Sequence, residues 1–206
     1  MIKDLIYDFD GTLSDTYPVV TEELLHILRE HGVHEEFDRA YALLKVSYGY
    51  AAKQYDLSIS AKEICAQLGE RAARAALTDR QKPIKGALEL LKAAVAAGKR
   101  NFIYTHSGAF VHEVIRQWGF EPYVTYTLDS SHGFPRKPDP TALRFLCERF
   151  AVDPATALMV GDRDIDIEVG HNAGMRGCLF DEGNYYPDCN AEYRVAELGK
   201  IQKLFK

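Results

Sequence analysis

Two spacings of apolar residues alternate along most of this chain. Short, nearly continuous apolar runs bounded by turn residues read as buried parallel strands over residues 2–7, 101–105, 123–127, 157–160 and 177–180. Between them, apolar positions recur at helical spacing over 86–97, 107–118, 139–150, 165–173 and 191–205. Glycines stop several of these helices, at Gly98, Gly119 and Gly174, and Asp139-Pro140 supplies a capping side chain followed by an early proline. Strand then helix, repeated from Pro83 onward, predicts βαβ units and a doubly wound parallel sheet of α/β class. Residues 183–190 (Gly-Asn-Tyr-Tyr-Pro-Asp-Cys-Asn) are the clearest loop.

Residues 16–81 have a different texture: helical spacing and no convincing strand. Asp15-Thr16-Tyr17-Pro18 starts a helix whose apolar positions are Val19, Val20, Leu24, Leu25, Ile27 and Leu28, and Gly32 ends it. A weaker pattern covers 37–46. Ser60-Ala61-Lys62-Glu63 is a capping box, followed by Ile64, Leu68, Ala72 and Ala76 on one face. The predicted organisation is an α/β core made of 1–15 and 82–206, with a small helical bundle, 16–81, inserted after the first strand.

The strand ends carry the chemistry. The first run closes on Tyr7-Asp8-Phe9-Asp10-Gly11-Thr12, so two carboxylates stand at the carboxyl end of a buried strand, where open α/β sheets place their ligands. Two acids so close repel each other unless a cation joins them, and a hard divalent ion such as Mg²⁺ suits oxygen ligands. The alternative is a strand ending in a solvated Asp-rich turn. The second strand ends at Thr105, the loop after the third carries Lys137, and the fourth ends in Gly161-Asp162-Arg163-Asp164-Ile165-Asp166. In a parallel sheet these ends face one way, so carboxylates, a hydroxyl and a lysine can converge on one cleft.

A formal net charge of −5 and the absence of a long basic run argue against nucleic acid as a partner. Cys65, Cys147, Cys178 and Cys189 form no Cys-x-x-Cys pair, which predicts reduced, mostly buried thiols rather than zinc ligands or disulfides. No leader and no membrane-length apolar run are read, so a cytoplasmic protein without membrane contact is expected, as a monomer or weak homodimer.

Taken together, the four strand-end motifs resemble, in order, those of the haloacid dehalogenase-like (HAD) hydrolases, beginning with Asp-x-Asp-Gly-Thr-Leu. The resemblance spans nearly the whole chain. It is nearest to the phosphoglycolate phosphatase-like subgroup, whose small helical cap lies between the first two motifs. It implies a Rossmann-like core and a Mg²⁺-dependent phosphatase acting on a small phosphorylated metabolite. It also implies roles. Asp8 attacks phosphorus and Asp10 is general acid and base. Asp8, the backbone carbonyl of Asp10, and Asp162 hold the metal. Thr105 and Lys137 grip the phosphoryl group, with the amide of Ser107 or its neighbour helping. Gly11 turns the backbone, Thr12 supports it, and Asp166 binds a metal-bound water or orients Lys137. Asp10 favours phosphate esters over dehalogenation. Asp164 reads as a solvated helix-start residue.

Other positions keep two readings. His106 is a partly exposed loop residue or a substrate contact. Tyr48, Tyr50 and Lys53 either face the substrate from the cap or are cap core and solvated surface. Trp118 reads as core. The rival functions are a phosphomutase on the same scaffold, a receiver-like phospho-acceptor, and a binding protein without catalysis. The order counts against a receiver, whose acceptor Asp lies on the third strand, whereas here the Asp pair is on the first and a helical insertion follows.

Overall fold

The computed structural model describes residues 1–78 and 80–205. The chain divides into two compact units, Met1–Ser14 with Pro83–Lys206, and Asp15–Lys82. Each crossing lies one residue from the expected boundary. The crossings are the short strands β2 (Ser14–Asp15) and β3 (Lys82–Pro83), which pair with each other.

The first unit contains a six-stranded sheet. Its members are β1 (Asp4–Tyr7), β4 (Arg100–Tyr104), β5 (Tyr126–Leu128), β6 (Ala157–Gly161), β7 (Arg176–Phe180) and β8 (Tyr193–Val195), in the spatial order β5-β4-β1-β6-β7-β8. Every pairing is parallel. The order reverses around β1, so its carboxyl end is a topological switch point. Leu5, Ile6 and Tyr7 are wholly buried, as a central strand covered on both faces requires. The core on one side joins Ile6, Phe102, Leu143, Leu146 and Met159. A buried polar residue in this sheet, Asn101, is fully used: its amide donates to the carbonyls of Leu91 (3.0 Å) and Tyr123 (2.9 Å), and its oxygen accepts from the Tyr7 hydroxyl (3.3 Å).

The second unit is helical: α1 (Tyr17–Glu30), α2 (Phe37–Val46), α3 (Tyr48–Ala52) and α4 (Ala61–Leu77). Val20, Leu24, Ile27, Leu28, Leu44, Ile64 and Leu68 form its apolar centre. The capping box at α4 is made as its sequence implies. The Ser60 hydroxyl accepts from the Glu63 amide (3.2 Å) and the Glu63 carboxylate accepts from the Ser60 amide (2.8 Å).

The core helices are α5 (Ala87–Ala96), α6 (Phe110–Gln117), α7 (Thr141–Phe150) and α8 (Asp164–Asn172). Several elements differ from the sequence reading. The expected closing helix over 191–205 is instead β8 followed by a 3₁₀ helix, Leu198–Phe205. Its buried residues, Leu198 and Ile201, are three apart, a spacing common to α and 3₁₀ helices. The third strand begins later than expected because Glu121–Tyr123 forms a 3₁₀ turn around Pro122. Helix α6 begins at Phe110, which leaves Ser107 and Gly108 in the preceding loop. The four cysteines are free, but only Cys178 is buried; the other three are half-buried, so the expectation of mostly buried thiols is corrected.

Candidate active site

The β1–α1 connection starts with a tight turn. The Phe9 carbonyl accepts from the amides of Leu13 (3.0 Å) and Ser14 (2.8 Å), and Gly11 donates to the Ser14 carbonyl (2.8 Å). Gly11 has φ +84°, a conformation open to glycine and costly for other residues. The turn leaves Asp8 buried at 4% exposure and Asp10 half-buried.

Lys137 is the hinge of the site's electrostatics. Its ammonium donates to Asp8 Oδ1 (2.6 Å), Asp166 Oδ1 (2.8 Å) and the Tyr104 carbonyl (3.1 Å). All three donor positions of the ammonium are therefore used inside the protein. Burial alone would push the Lys137 ammonium down. The charges of Asp166 and Asp8 outweigh burial and hold it well above its ordinary value. Burial pushes the Asp8 carboxyl up to about 7, with Lys137 pulling against it. Asp166 is held below the usual carboxylate range: burial opposes this, and Lys137 and Arg163 overcome it.

Asp166 is seated by close backbone approach. A Cβ placed on Gly161 would lie 2.2 Å from Asp166 Cβ, so no larger residue leaves this carboxylate where it is. Asp166 Oδ2 accepts from the Arg163 amide (3.2 Å), at the start of α8. Asp164 is exposed and caps its own turn by accepting from the Ile165 amide (2.7 Å), in keeping with its reading as a helix-start residue.

One oxygen from each of Asp8, Asp162 and Asp166 lies within 4.8 Å of the others, and all three residues are buried. Asp166 spends its oxygens on Lys137 and Arg163. Asp8 Oδ2 is buried without a hydrogen-bond partner. An orphaned, buried carboxylate oxygen beside further carboxylates suits a hard divalent cation such as Mg²⁺. Thr12, wholly buried, donates its hydroxyl to Asp162 Oδ1 (3.4 Å). The side chain of Asp10 lies outside this cluster; of this residue only the backbone carbonyl was expected to reach the metal.

The Asp10 carboxylate turns instead to the β4 end. Its Oδ2 accepts from the Ser107 hydroxyl (2.6 Å) and from the Thr105 hydroxyl (3.4 Å). The Ser107 amide donates to Thr105 Oγ1 (3.0 Å), so the amide expected to help with a phosphoryl group is occupied by Thr105 in this state. Asp8, Asp10, Thr105, Ser107, Lys137, Asp162 and Asp166 thus come together in one unit. Tyr48, Tyr50 and Lys53 belong to the helical unit. Tyr48 packs on its apolar centre, whereas Tyr50 and Lys53 are exposed.

Of the residues that serve the site, Tyr104 is not singled out by the sequence. The Tyr104 ring lies under the Lys137 ammonium, 4.6 Å from ring centroid to Nζ. His106 is tied to the main chain of Lys137 by a hydrogen bond of 3.0 Å. Trp118 is half-buried and stacks on Phe9 with centroids 5.9 Å apart. The 183–190 loop is pinned by Asp181, which accepts from the amides of Tyr185 (2.9 Å) and Tyr186 (3.1 Å) and pairs with Arg194 (2.9 Å). Burial, and next the charge of Asp162, push the Tyr186 hydroxyl well above its ordinary value.

The chain is similar to known hydrolases. The haloacid dehalogenase-like hydrolase family matches residues 5–180. A phosphoglycolate phosphatase of Vibrio parahaemolyticus is 31% identical over 192 residues, covering 84% of this chain and 81% of the relative. An N-acetylmuramic acid 6-phosphate phosphatase of Pseudomonas aeruginosa is 26% identical over 207 residues, covering 96% and 89%. Among solved structures, a hydrolase from Streptococcus pneumoniae superposes with a TM-score of 0.67 at 31% identity, covering 87% of this chain and 92% of that one.

Proposed function

The chain belongs to the haloacid dehalogenase-like hydrolase family, and from that premise we propose that it is a Mg²⁺-dependent phosphatase working through an aspartyl-phosphate on Asp8. The observation that carries the reading is the unequal treatment of the two acids at the β1 end. Asp8 is buried against Lys137 with one oxygen unpartnered, while Asp10 is half-buried and held by hydroxyls. This difference supports reading the first as a fixed nucleophile and the second as a group that exchanges protons.

Asp8 forms a bond to phosphorus as the ester P–O bond breaks. Asp10 gives its proton to the leaving oxygen. Water then attacks phosphorus, Asp10 takes back a proton, and inorganic phosphate leaves with the Asp8 carboxylate restored. Lys137 offsets negative charge throughout, and Thr105 holds Asp10 in place (3.4 Å). Asp8, Asp162 and the Asp10 carbonyl would hold Mg²⁺, which would offset charge on the phosphoryl oxygens.

The substrate class is a small phosphate monoester. The two phosphatase relatives bear the names of chemically different esters, a two-carbon acid and an amino sugar acid, so the class is supported rather than one compound. The test is phosphate release from p-nitrophenyl phosphate and a panel of sugar and acid phosphates, with Mg²⁺ and with excess EDTA. Metal-dependent release with a preferred panel member is expected. Release that is indifferent to EDTA, or none from any ester, would remove the proposal.

A further inference from the structure

We propose that His106 is a positioning residue for Lys137, acting as a neutral hydrogen-bond acceptor with Tyr104 as its backing. Tyr104 is the last residue of β4, and Thr105 and His106 follow it directly. Their contacts divide between two partners. Thr105 reaches Asp10 (3.4 Å), while Tyr104 and His106 both serve Lys137. Lys137 is gripped at its two ends. Its amide donates to His106 Nε2 (3.0 Å), and its ammonium donates to the Tyr104 carbonyl (3.1 Å) over the Tyr104 ring. The two aromatic rings meet edge to face at 87°, with centroids 5.9 Å apart, which fixes the imidazole plane.

The arrangement dictates a tautomer. An amide can only donate, so Nε2 carries no proton and the neutral ring is protonated at Nδ1. A charged imidazolium would lose this bond. The surroundings keep it neutral: burial first, then the positive charges of Lys137, Arg136 and Arg163, against a smaller opposing pull from Asp166, bring the His106 imidazole down to about 3. The lysine that neutralises Asp8 and Asp166 is thereby held at the β4 end, where the next residue along from Tyr104, Thr105, also reaches the general acid. This role differs from both earlier readings of His106, and it leaves Nε2 unavailable to substrate.

The kinetic arm of the test rests on the phosphatase reading; the spectroscopic arm does not. Steady-state turnover of p-nitrophenyl phosphate is measured for wild type, His106→Gln and His106→Leu in Mg²⁺. Gln places an acceptor near the Nε2 position and Leu places none. The expected result is a fall in kcat of about tenfold or more for Leu with KM nearly unchanged, and recovery of most of it by Gln. A Leu variant with unchanged kcat, or with KM alone raised, would overturn the proposal, the latter in favour of direct substrate contact. In parallel, ¹⁵N spectra of the wild-type imidazole at neutral pH are expected to show a protonated Nδ1 and an unprotonated Nε2. The opposite tautomer or an imidazolium overturns the proposal whatever the kinetics give. Wild type without turnover, together with the expected tautomer, would remove the phosphatase reading and leave the positioning role intact.

Discussion

The Lys137 ammonium stands 2.6 Å from Asp8 Oδ1, and both side chains are almost completely buried, at 1% and 5% exposure. Asp166 Oδ1 completes the group at 2.8 Å. A buried cation between two buried carboxylates is costly to break, because removing it strands two charges in a poorly solvated place. Lys137→Ala is expected to lower stability by about 3–5 kcal/mol, read from a urea transition. The loss should shrink as pH falls, since the stranded carboxylates can then take up protons. A variant as stable as wild type at neutral pH would show that the ion group contributes little.

Gly161 tests the seat of Asp166. With a Cβ only 2.2 Å from that residue's own Cβ, Gly161→Ala must displace either the carboxylate or α8. We expect phosphatase activity to fall at least as far as in Asp166→Asn, with destabilisation of about 1–3 kcal/mol from overpacking. Near-normal turnover in Gly161→Ala would mean that the position of Asp166 is not critical.

How far these relationships were legible in the sequence depended on the range of the interaction. An apolar run that stops at a carboxylate is a local signal, so the β1 end with Asp8 and Asp10 and the Asp162–Asp166 segment could be picked out residue by residue, whereas Lys137 was found by its place in a loop after the third strand and by the family resemblance. Tyr104 could not, because an aromatic in a buried strand looks like core, and its ring is indeed core while its carbonyl serves Lys137. His106 has its partner 31 positions away, which no local pattern encodes. The chain end misled for another reason. Leu198 and Ile201 fit an amphipathic α-helix, and the three residues of β8 are too few to display alternation.

Ser107 was expected to act through its amide, yet its hydroxyl makes the shorter bond, 2.6 Å to Asp10 Oδ2. A hydrogen bond to a charged group contributes about 1.5–3 kcal/mol. Ser107→Ala should therefore reduce kcat by about tenfold to a hundredfold if Asp10 needs that bond in the transition state, and Ser107→Thr should retain more activity. Equal kcat values for Ser107→Ala and wild type would assign the hydroxyl a role in the resting state alone.

His106 gives a pH signature in stability. Its folded value is depressed from 6.5 to about 3, so between these limits the unfolded chain binds the extra proton. The stability it contributes is complete above about pH 6.5 and is lost progressively as pH falls toward 3. Thermal unfolding of wild type and His106→Gln across this range should show wild type losing stability relative to the variant as the solution is acidified. Parallel curves would mean that His106 titrates alike in the folded and unfolded chain.

The central claim is that Asp8 takes the phosphoryl group, and covalent trapping tests it most directly. Protein in Mg²⁺ is mixed with a turned-over phosphate ester, quenched in acid within the first turnover, reduced with borohydride and mapped by peptide mass spectrometry. The account predicts a reduced acyl-phosphate at Asp8, and none in Asp8→Asn, which should also have lost turnover. Modification at a different residue, or turnover that persists in Asp8→Asn, would contradict it.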